Sequence, residues 1–273
     1  MIHKKEMLLV LCFIIIAISS VKAQNATIKD IDGNTYNTVT IGTQTWMKEN
    51  LKVTKYRNGD PIPNITDSVE WRKEEMNIIH NGAYCAYNNS PSNAKTYGYL
   101  YNWYTVVDSR NLCPTGWHVP SNDEWNDLRN YLTSNDYGFQ DDKKNIGKSL
   151  ASKSGWAADN LKGNIGNDPG SNNKSGFTAL PGGNRSSDVI LIPGKDNVYY
   201  YIFVDVKKIA YWWSSTEVQL EKDDYDVLIE EVSGDNEEPY EAYGIKLDPV
   251  YSKLVNSSHL KNNAYSVRCL KDK

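Results

Sequence analysis

The chain has 273 residues, of which 40% are hydrophobic and 23% charged, and it contains 8 Trp and 19 Tyr. This composition supplies enough apolar and aromatic material for a packed core, and it excludes a disordered chain, a collagen-like fibre and a coiled coil. The formal net charge of −4 at pH 7 gives a surface that repels nucleic acid, so no nucleic-acid partner is expected.

The N-terminus has the three parts of a cleavable export signal. Positive charges precede a twelve-residue apolar run at 7–18, and Val21 and Ala23 place small residues before a cleavage point. The run is shorter than the roughly 20 residues that a spanning helix needs, so no transmembrane segment is expected in the mature chain. Removing residues 1–23 takes away three Lys and one Glu, which changes the net charge from −4 to −6.

A lipid anchor is not expected either. A lipoprotein needs a cysteine directly after the cleavage point, where this chain has Gln24, and Cys12 lies inside the apolar run. We therefore predict an exported protein, whether periplasmic, at the cell surface or secreted, in which residues 24–273 form one domain.

The predicted elements begin with a hairpin and two helices. Residues 27–47 alternate as strands around a turn, and the aromatic residues at 97–107 favour a helix. The clearest helix starts after Ser121, the N-cap, which forms a capping box with Glu124 and is followed by apolar residues at helical spacing.

A long loop and a run of strands follow. Residues 154–176 hold five Gly, five Asn and three Ser, which predicts a loop that either carries function or is merely tolerated. Strand-like stretches then occur at 177–180, 189–192, 198–204, 209–214, 225–232, 243–247 and 265–270. Early helices followed by antiparallel strands predict an α+β domain.

Three cysteines remain after cleavage, and an oxidising compartment favours a disulfide between two of them. Cys113 precedes the capped helix and Cys269 lies in the last predicted strand, so a bridge between them would close 156 residues. A loop of that length stabilises a fold by roughly 4 to 5 kcal/mol in the chain-entropy model. We predict this bridge, which leaves Cys85 free, buried or paired with another chain. Neither a Cys-x-x-Cys pair nor His spacing indicates zinc.

An aromatic pair, Trp212 and Trp213, supplies the candidate ligand-binding feature. Adjacent residues of a strand face opposite sides of the sheet, so the two rings cannot enter the same core. In one arrangement, one ring is exposed near the long loop and stacks on a sugar, while Asn184, Arg185 and Glu217 bond its hydroxyls. In the other and simpler arrangement, one ring packs in the core and the other beneath the long loop.

Seven sequence blocks resemble one bacterial family. In chain order they are Asp30-Ile-Asp-Gly-Asn-Thr-Tyr, Ile41-Gly-Thr-Gln-Thr-Trp-Met-Lys-Glu-Asn-Leu-Lys-Val, Tyr97-Gly-Tyr-Leu-Tyr-Asn-Trp, Cys113-Pro-Thr-Gly-Trp-His-Val-Pro-Ser, Gly176-Phe-Thr-Ala-Leu-Pro-Gly-Gly-Asn-Arg, Tyr211-Trp-Trp-Ser-Ser-Thr-Glu and Ser266-Val-Arg-Cys. They span about residues 27–272 and resemble the Fibrobacter succinogenes major paralogous domain, or FISUMP. The resemblance implies an exported bacterial protein, commonly from Bacteroidetes-type organisms, with a fold similar to C-type lectins and formylglycine-generating enzymes.

Only the scaffold of those two classes is expected here. Formylglycine-generating enzymes need a pair of active-site cysteines near the C-terminal end, whereas Cys269 stands alone in that half. Trp125-Asn126-Asp127 matches a calcium-lectin motif in letters only, because side chains within a helix would not converge on one ion. The acidic residues at 221–241 indicate a solvated hairpin insertion. No cofactor is predicted, and no motif supports calcium.

We therefore predict an α+β domain with a C-type lectin-like fold that acts as an exported, non-catalytic interaction module. Its expected partner is a glycan or a surface protein. The alternatives are an oxygenase-like enzyme on the formylglycine-generating scaffold and a structural component of the envelope.

Overall fold

The computed structural model describes residues 27–76, 81–190, 198–219, 241–250 and 252–273. The predicted export signal, the strand predicted at 225–232 and nearly all of the acidic insertion lie outside these residues. No helix within the described ranges combines the length and the apolar character needed to cross a bilayer.

Strands and helices alternate in the first half of the chain, and strands dominate the second. The strands are β1 (Thr27–Lys29), β2 (Thr35–Ile41), β3 (Gln44–Met47), β4 (Tyr84–Cys85), β5 (Leu100–Tyr101), β6 (Trp117–His118), β7 (Gly182–Ile190), β8 (Val198–Val206), β9 (Ala210–Glu217), β10 (Glu241–Asp248), β11 (Lys253–Leu260) and β12 (Leu270–Lys271). The helices are α1 (Ser68–Met76), α2 (Pro91–Tyr97), α3 (Trp103–Val107), α4 (Asn122–Ser134) and α5 (Gly147–Leu150).

Two five-stranded sheets and one two-stranded sheet organise these elements. The first sheet has the order β1-β2-β3-β12-β6, the second β11-β10-β9-β7-β8, and β4 pairs with β5. All these pairs are antiparallel except the single contact between β7 and β9. Short helices beside antiparallel sheets confirm the α+β class.

The capping box and the opening hairpin are confirmed. Ser121 Oγ accepts from the Glu124 backbone N–H at 3.3 Å, and Glu124 Oε2 accepts from the Ser121 N–H at 2.9 Å. These bonds satisfy two of the free N–H groups at the start of α4. β1, β2 and β3 form an antiparallel meander from residues 27 to 47, which includes the predicted hairpin.

The helix predicted at 97–107 is correct only in its second half. Gly98 has a φ of 81°, a conformation that favours glycine, and it ends α2. Asn102 then caps α3, because its side chain accepts from the Thr105 backbone N–H at 3.2 Å. Between them, Leu100 and Tyr101 form β5.

Two predicted strands also need correction, and one strand was missed. The segment 177–180 contributes one isolated bridge, because Thr178 takes a positive φ of 60°. Of the segment 265–270, only Leu270 lies in a strand. Strand β11 was not predicted, since its centre is the polar run Asn-Ser-Ser-His and only one of its eight residues is buried at this sheet edge.

The predicted disulfide is confirmed. Cys113 and Cys269 are bonded with an S–S distance of 2.01 Å and Cα atoms 6.0 Å apart. Cys85 keeps a free thiol and is buried, which is one of the alternatives left open for it. The bridge therefore joins the segment before β6 to the segment before β12.

A buried polar centre connects distant parts of the chain. The Arg268 guanidinium, 1% exposed, donates from Nε and Nη2 to Asn50 Oδ1 at 3.2 and 2.8 Å. Its Nη1 donates to the Phe177 carbonyl, and the guanidinium carbon Cζ lies 4.3 Å from the centre of the Phe177 ring. Asn50 Oδ1 also accepts from Trp212 Nε1 at 2.9 Å, while its Nδ2 donates to the Tyr97 carbonyl at 2.8 Å. Burial lowers the pKa of Arg268 to about 9, so it remains charged at neutral pH.

Replacing Asn50 with Ala is expected to destabilise the fold strongly. The change removes the only acceptor of two guanidinium nitrogens and of an indole N–H in a dry interior, and such losses amount to about 3 to 5 kcal/mol. Denaturant unfolding measures the change. Asn58→Ala is the control, because Asn58 is exposed and its side chain bonds only to Asp60. Similar stabilities for the two variants would contradict the central role of Asn50.

The free energy of unfolding is expected to depend on the protonation of His259. Burial lowers the pKa of His259 to about 4, and its ring lies edge-on to Tyr265 at 4.9 Å, with Nε2 2.7 Å from Ser257 Oγ. In the unfolded chain the pKa is about 6.5, so below that pH the unfolded state binds the extra proton and is favoured.

The stability should therefore fall by about 1 to 2 kcal/mol between roughly pH 7 and pH 5 from this group alone. Urea unfolding across this range, compared with His259→Gln, isolates the effect because glutamine does not titrate. The same pH slope in both proteins would show that His259 is not neutral in the fold.

Candidate functional site

The structure buries both rings of the predicted aromatic pair. Trp212 and Trp213 are each 0% exposed, and Trp213 Nε1 donates to the Tyr101 carbonyl at 2.7 Å. They do enter different clusters, as the strand geometry requires: Trp212 contacts Trp125, and Trp213 lies 4.5 Å from Tyr265. The arrangement with one ring exposed to a sugar is therefore wrong, because both indole N–H groups bond to buried acceptors.

The polar candidates beside them are also mostly interior. Asn184 and Arg185 are 3% and 1% exposed and lie in strand β7. Arg185 Nη1 donates to the Ile65 carbonyl at 2.8 Å, and its guanidinium stacks 4.5 Å from the centre of the Trp71 ring. Glu217 is partly exposed, and its carboxylate binds the buried Lys261 ammonium. These residues hold the fold together and do not form an accessible site.

A different cleft opens between the long loop and the β10–β11 turn. It has a volume of about 270 Å³ and combines one half-buried indole with apolar and charged side chains. We name it the Trp156 cleft. Its principal residues are Trp156, Asp159, Lys207, Lys208, Asp248 and Val250.

The orientation of the indole is fixed by two contacts of the loop. Trp156 Nε1 donates to the Ala179 carbonyl at 3.1 Å, and the ring packs against the core cluster around Trp125. The next residue, Ala157, donates its N–H to the Lys207 carbonyl at 2.7 Å. A partly exposed aromatic ring is thus held at the wall of the cleft, where it can stack on a ligand.

Charged groups of both signs surround the ring. Asp159 accepts from the Leu161 backbone N–H at 2.7 Å and from Asn164 Nδ2 at 2.9 Å, and these bonds hold its pKa below the usual range. Asp248 Oδ2 lies 3.0 Å from the Lys246 ammonium. Lys207 and Lys208 add exposed ammonium donors. The cleft therefore offers acceptors, donors and an aromatic face, which together suit a hydroxylated ligand.

The loop that carries Trp156 is ordered around an internal ammonium group. Lys148 of α5 is 5% exposed, and its Nζ donates to the carbonyls of Asn164 and Asp168 at 3.3 Å each, and also to Asn167. Burial lowers its pKa. Carbonyl oxygens that converge in this way often bind a metal ion, but here the lysine ammonium takes that position.

Other titratable groups have structural partners. His118 bonds through Nδ1 to Asp272 at 2.6 Å, and its Nε2 lies 3.0 Å from the Glu124 carboxylate, so it connects α4 to the C-terminal segment. Cys85 is buried beside Arg185, and burial raises its pKa to about 11. Across the part of the chain that the structure describes, no group of His, Cys, Asp and Glu is arranged to hold a metal ion.

Sequence reasoning identified the loop at 154–176 and missed its aromatic residue. The signal was a single Trp between Gly155 and Ala157 in a stretch otherwise rich in Asn and Gly. A large apolar residue without apolar neighbours has no local reason to be buried. The partners that complete the cleft come from the turn between β8 and β9 and from the end of β10 with the residues that follow it, and no spacing in the sequence brings them together.

Lys148→Met is expected to loosen the long loop. Methionine keeps most of the volume but removes the ammonium from three carbonyls; those of Asn164 and Asp168 keep the N–H donors of Asn167 and Ser171, whereas that of Asn167 loses its donor, and we expect a loss of about 1 to 3 kcal/mol. Denaturant unfolding and amide hydrogen exchange at residues 159–172 measure the change. Lys162→Met, in the same loop but exposed, is the control, and a calcium chelator should leave the wild-type loop unchanged. Equal exchange in the two variants would contradict a role for the ammonium.

Comparison with known proteins identifies one family. The model of the family described as the Fibrobacter succinogenes major domain matches residues 39–271, which confirms the resemblance of the sequence blocks. Neither the curated proteins nor the solved structures contain a significant match to the chain.

Proposed function

The chain belongs to the Fibrobacter succinogenes major domain family, and on this basis we propose that it is an exported, non-catalytic interaction module that binds a glycan in the Trp156 cleft. The observation that carries the proposal is the partly exposed indole held at the wall of a cleft that also contains two carboxylates and two ammonium groups.

The chemistry of the cleft matches the two faces of a sugar. The C–H face of a sugar ring is apolar and stacks on an aromatic ring, and the hydroxyls need donors and acceptors at its edge. Trp156 supplies the ring, Asp159 the acceptor, and Lys207 and Lys208 the donors, while Asp248 is 8% exposed and is already bonded to Lys246 and the Val250 N–H. Because the Trp156 N–H is already bonded to Ala179, the indole is fixed before the ligand binds, which reduces the entropy lost on binding.

Export is supported by two independent features. The N-terminal residues have the pattern of a cleavable signal, and the Cys113–Cys269 disulfide is typical of proteins that fold in an oxidising compartment. We propose a periplasmic, cell-surface or secreted location.

The finer fold assignment also belongs to the proposal. The α+β class, the antiparallel sheets and the long loop are compatible with the C-type lectin-like architecture that the family resemblance implies. The proposal assigns to this scaffold a role in binding and not in catalysis. An oxygenase-like reaction on the related scaffold would need two nearby thiols. Cys269 is bonded to Cys113, and Cys85 is a lone buried thiol with a raised pKa.

Trp156→Ala is expected to abolish most glycan binding. A broad glycan array identifies the ligand, and titration calorimetry then compares the variants. We expect Ala to weaken binding by about tenfold or more and Phe to retain part of it, because stacking on an aromatic ring contributes about 0.5 to 1.5 kcal/mol beyond the buried area.

Two controls separate binding from stability. Tyr131→Ala removes a partly exposed aromatic ring outside the cleft and should leave affinity unchanged. Val250→Asp changes a 57% exposed residue at the rim, so it should weaken binding without affecting the melting temperature. Glycan binding that survives both Trp156→Ala and Val250→Asp would show that the Trp156 cleft is not the glycan-binding site. If the folded protein binds no glycan but captures an exported surface protein, its partner is a protein and the glycan proposal is wrong.

A further inference from the structure

A second concave surface lies on the other side of the β10–β11 turn. It has a volume of about 620 Å³ and is enclosed by α4, by the segment around Lys143 and by β11, the edge strand of the second sheet. We name it the α4–β11 groove. Its residues do not overlap with those of the Trp156 cleft, and its volume is in the range of small-ligand sites, about 300 to 1,000 Å³.

The groove is cationic on a protein that is acidic overall. Arg129, Lys143, Lys144 and Lys253 line it, and none of the described lining residues carries a carboxylate, although the chain has a net charge of −4. The three lysines are exposed, and no described carboxylate forms a salt bridge with them. A local cluster of positive charges of this kind attracts anions even though the protein as a whole is negatively charged.

The floor of the groove is rigid and keeps its positive charge. Arg129 Nε donates to the Leu254 carbonyl at 2.9 Å, Nη1 donates to Asn126 Oδ1 at 2.7 Å, and Nη2 donates to Asn256 Oδ1. All three acceptors are neutral, so the guanidinium is held in place without a carboxylate that would cancel its charge. These bonds also fix α4 to the outer edge of β11.

The remaining lining distinguishes between classes of anion. Val255, 38% exposed, is the apolar side chain open to the groove, whereas Ile146 and Leu254 are 1% and 4% exposed and pack in the core beneath it; Asn130 and Thr133 add an amide and a hydroxyl. A bare phosphate or sulfate ion would use the cations and leave Val255 without a partner. A sugar ring uses both, because its C–H face packs on apolar side chains while its hydroxyls and acidic groups are bound by polar ones.

We propose that the α4–β11 groove binds an oligosaccharide that carries carboxylate or sulfate groups. The acidic groups lie against Lys143, Lys144 and Lys253, and Arg129 contributes its charge from the floor. This site goes beyond the glycan site proposed at Trp156 and does not depend on it, since the two share no residue.

The test compares two triple variants that lose the same charge. One replaces Lys143, Lys144 and Lys253 with Gln, and the matched control replaces three exposed lysines outside both sites with Gln; these are Lys153, Lys162 and Lys271. Calorimetry at low ionic strength uses three probes: a sulfated heparin oligosaccharide, an oligogalacturonate and an uncharged glucose oligomer of similar length.

We expect wild-type protein to bind one or both acidic probes more tightly than the uncharged oligomer, with affinity that decreases as salt increases. The groove variant should bind roughly 10- to 100-fold more weakly, and the control variant should bind like wild type. The sulfated and the carboxylated probe distinguish which acidic group is preferred.

Three results would overturn the proposal. Equal loss in both triple variants would show binding to net charge and not to the groove. If a polyglutamate peptide binds as tightly as the acidic oligosaccharides, and its binding is lost in the same groove variant, the groove binds acidic peptides. Loss of the acidic probe in Trp156→Ala, with the groove variant unaffected, would place all glycan binding at the other cleft. Failure of the groove thus leaves the Trp156 proposal intact.

Discussion

The buried guanidinium of Arg268 is the constraint on which the rest of the structure depends. A charge in the interior requires partners in several directions, and here they come from widely separated segments: Asn50, the Phe177 carbonyl and ring, and the face of Trp212. None of its hydrogen-bond partners is charged, so the charge is stabilised by an amide dipole, a carbonyl and two aromatic rings. These residues belong to four of the seven blocks that identify the family. The four blocks therefore meet around one buried charge.

Buried cations stack on aromatic rings at two further places, which explains why the sequence left two arrangements open for the aromatic pair. Arg185 stacks on Trp71, and the buried ammonium of Lys261 lies 4.7 Å from the centre of the Trp103 ring. A sequence rich in Trp, Arg and Asn is therefore compatible with two opposite situations. The aromatic rings can form an exposed platform for a sugar, or they can lie in an interior where buried cations pack on aromatic faces and bond to amide oxygens. Trp212 is in the second situation. Only the tertiary structure separates them, because the residue types are the same.

Local signals were sufficient for local structure. The capping box at Ser121 and the loop at 154–176 were predicted because each depends on neighbouring residues, and the disulfide followed from having few cysteines to pair. β11 and the Trp156 cleft were missed because β11 has no local signal and the cleft has only a single Trp in an Asn- and Gly-rich loop. An edge strand buries little and needs no alternating pattern, and the cleft requires residues from the long loop to meet others some 50 to 90 positions later in the sequence. The family blocks likewise indicated a scaffold and not a binding surface.

The two clefts depend on one support, the turn between β10 and β11. Ser252 is 0% exposed and has a positive φ of 47°, its Oγ donates to the Gly163 carbonyl at 2.9 Å, and its own carbonyl accepts from the Gly147 N–H at 2.7 Å. Gly147 has no room for a side chain there, because an added Cβ would lie 2.6 Å from the Ser252 backbone. The turn is thus fixed both to the long loop and to the helix that carries Lys148. Residues just before Ser252 enter the Trp156 cleft and residues just after it enter the α4–β11 groove, so the position of this one turn sets the position of both surfaces.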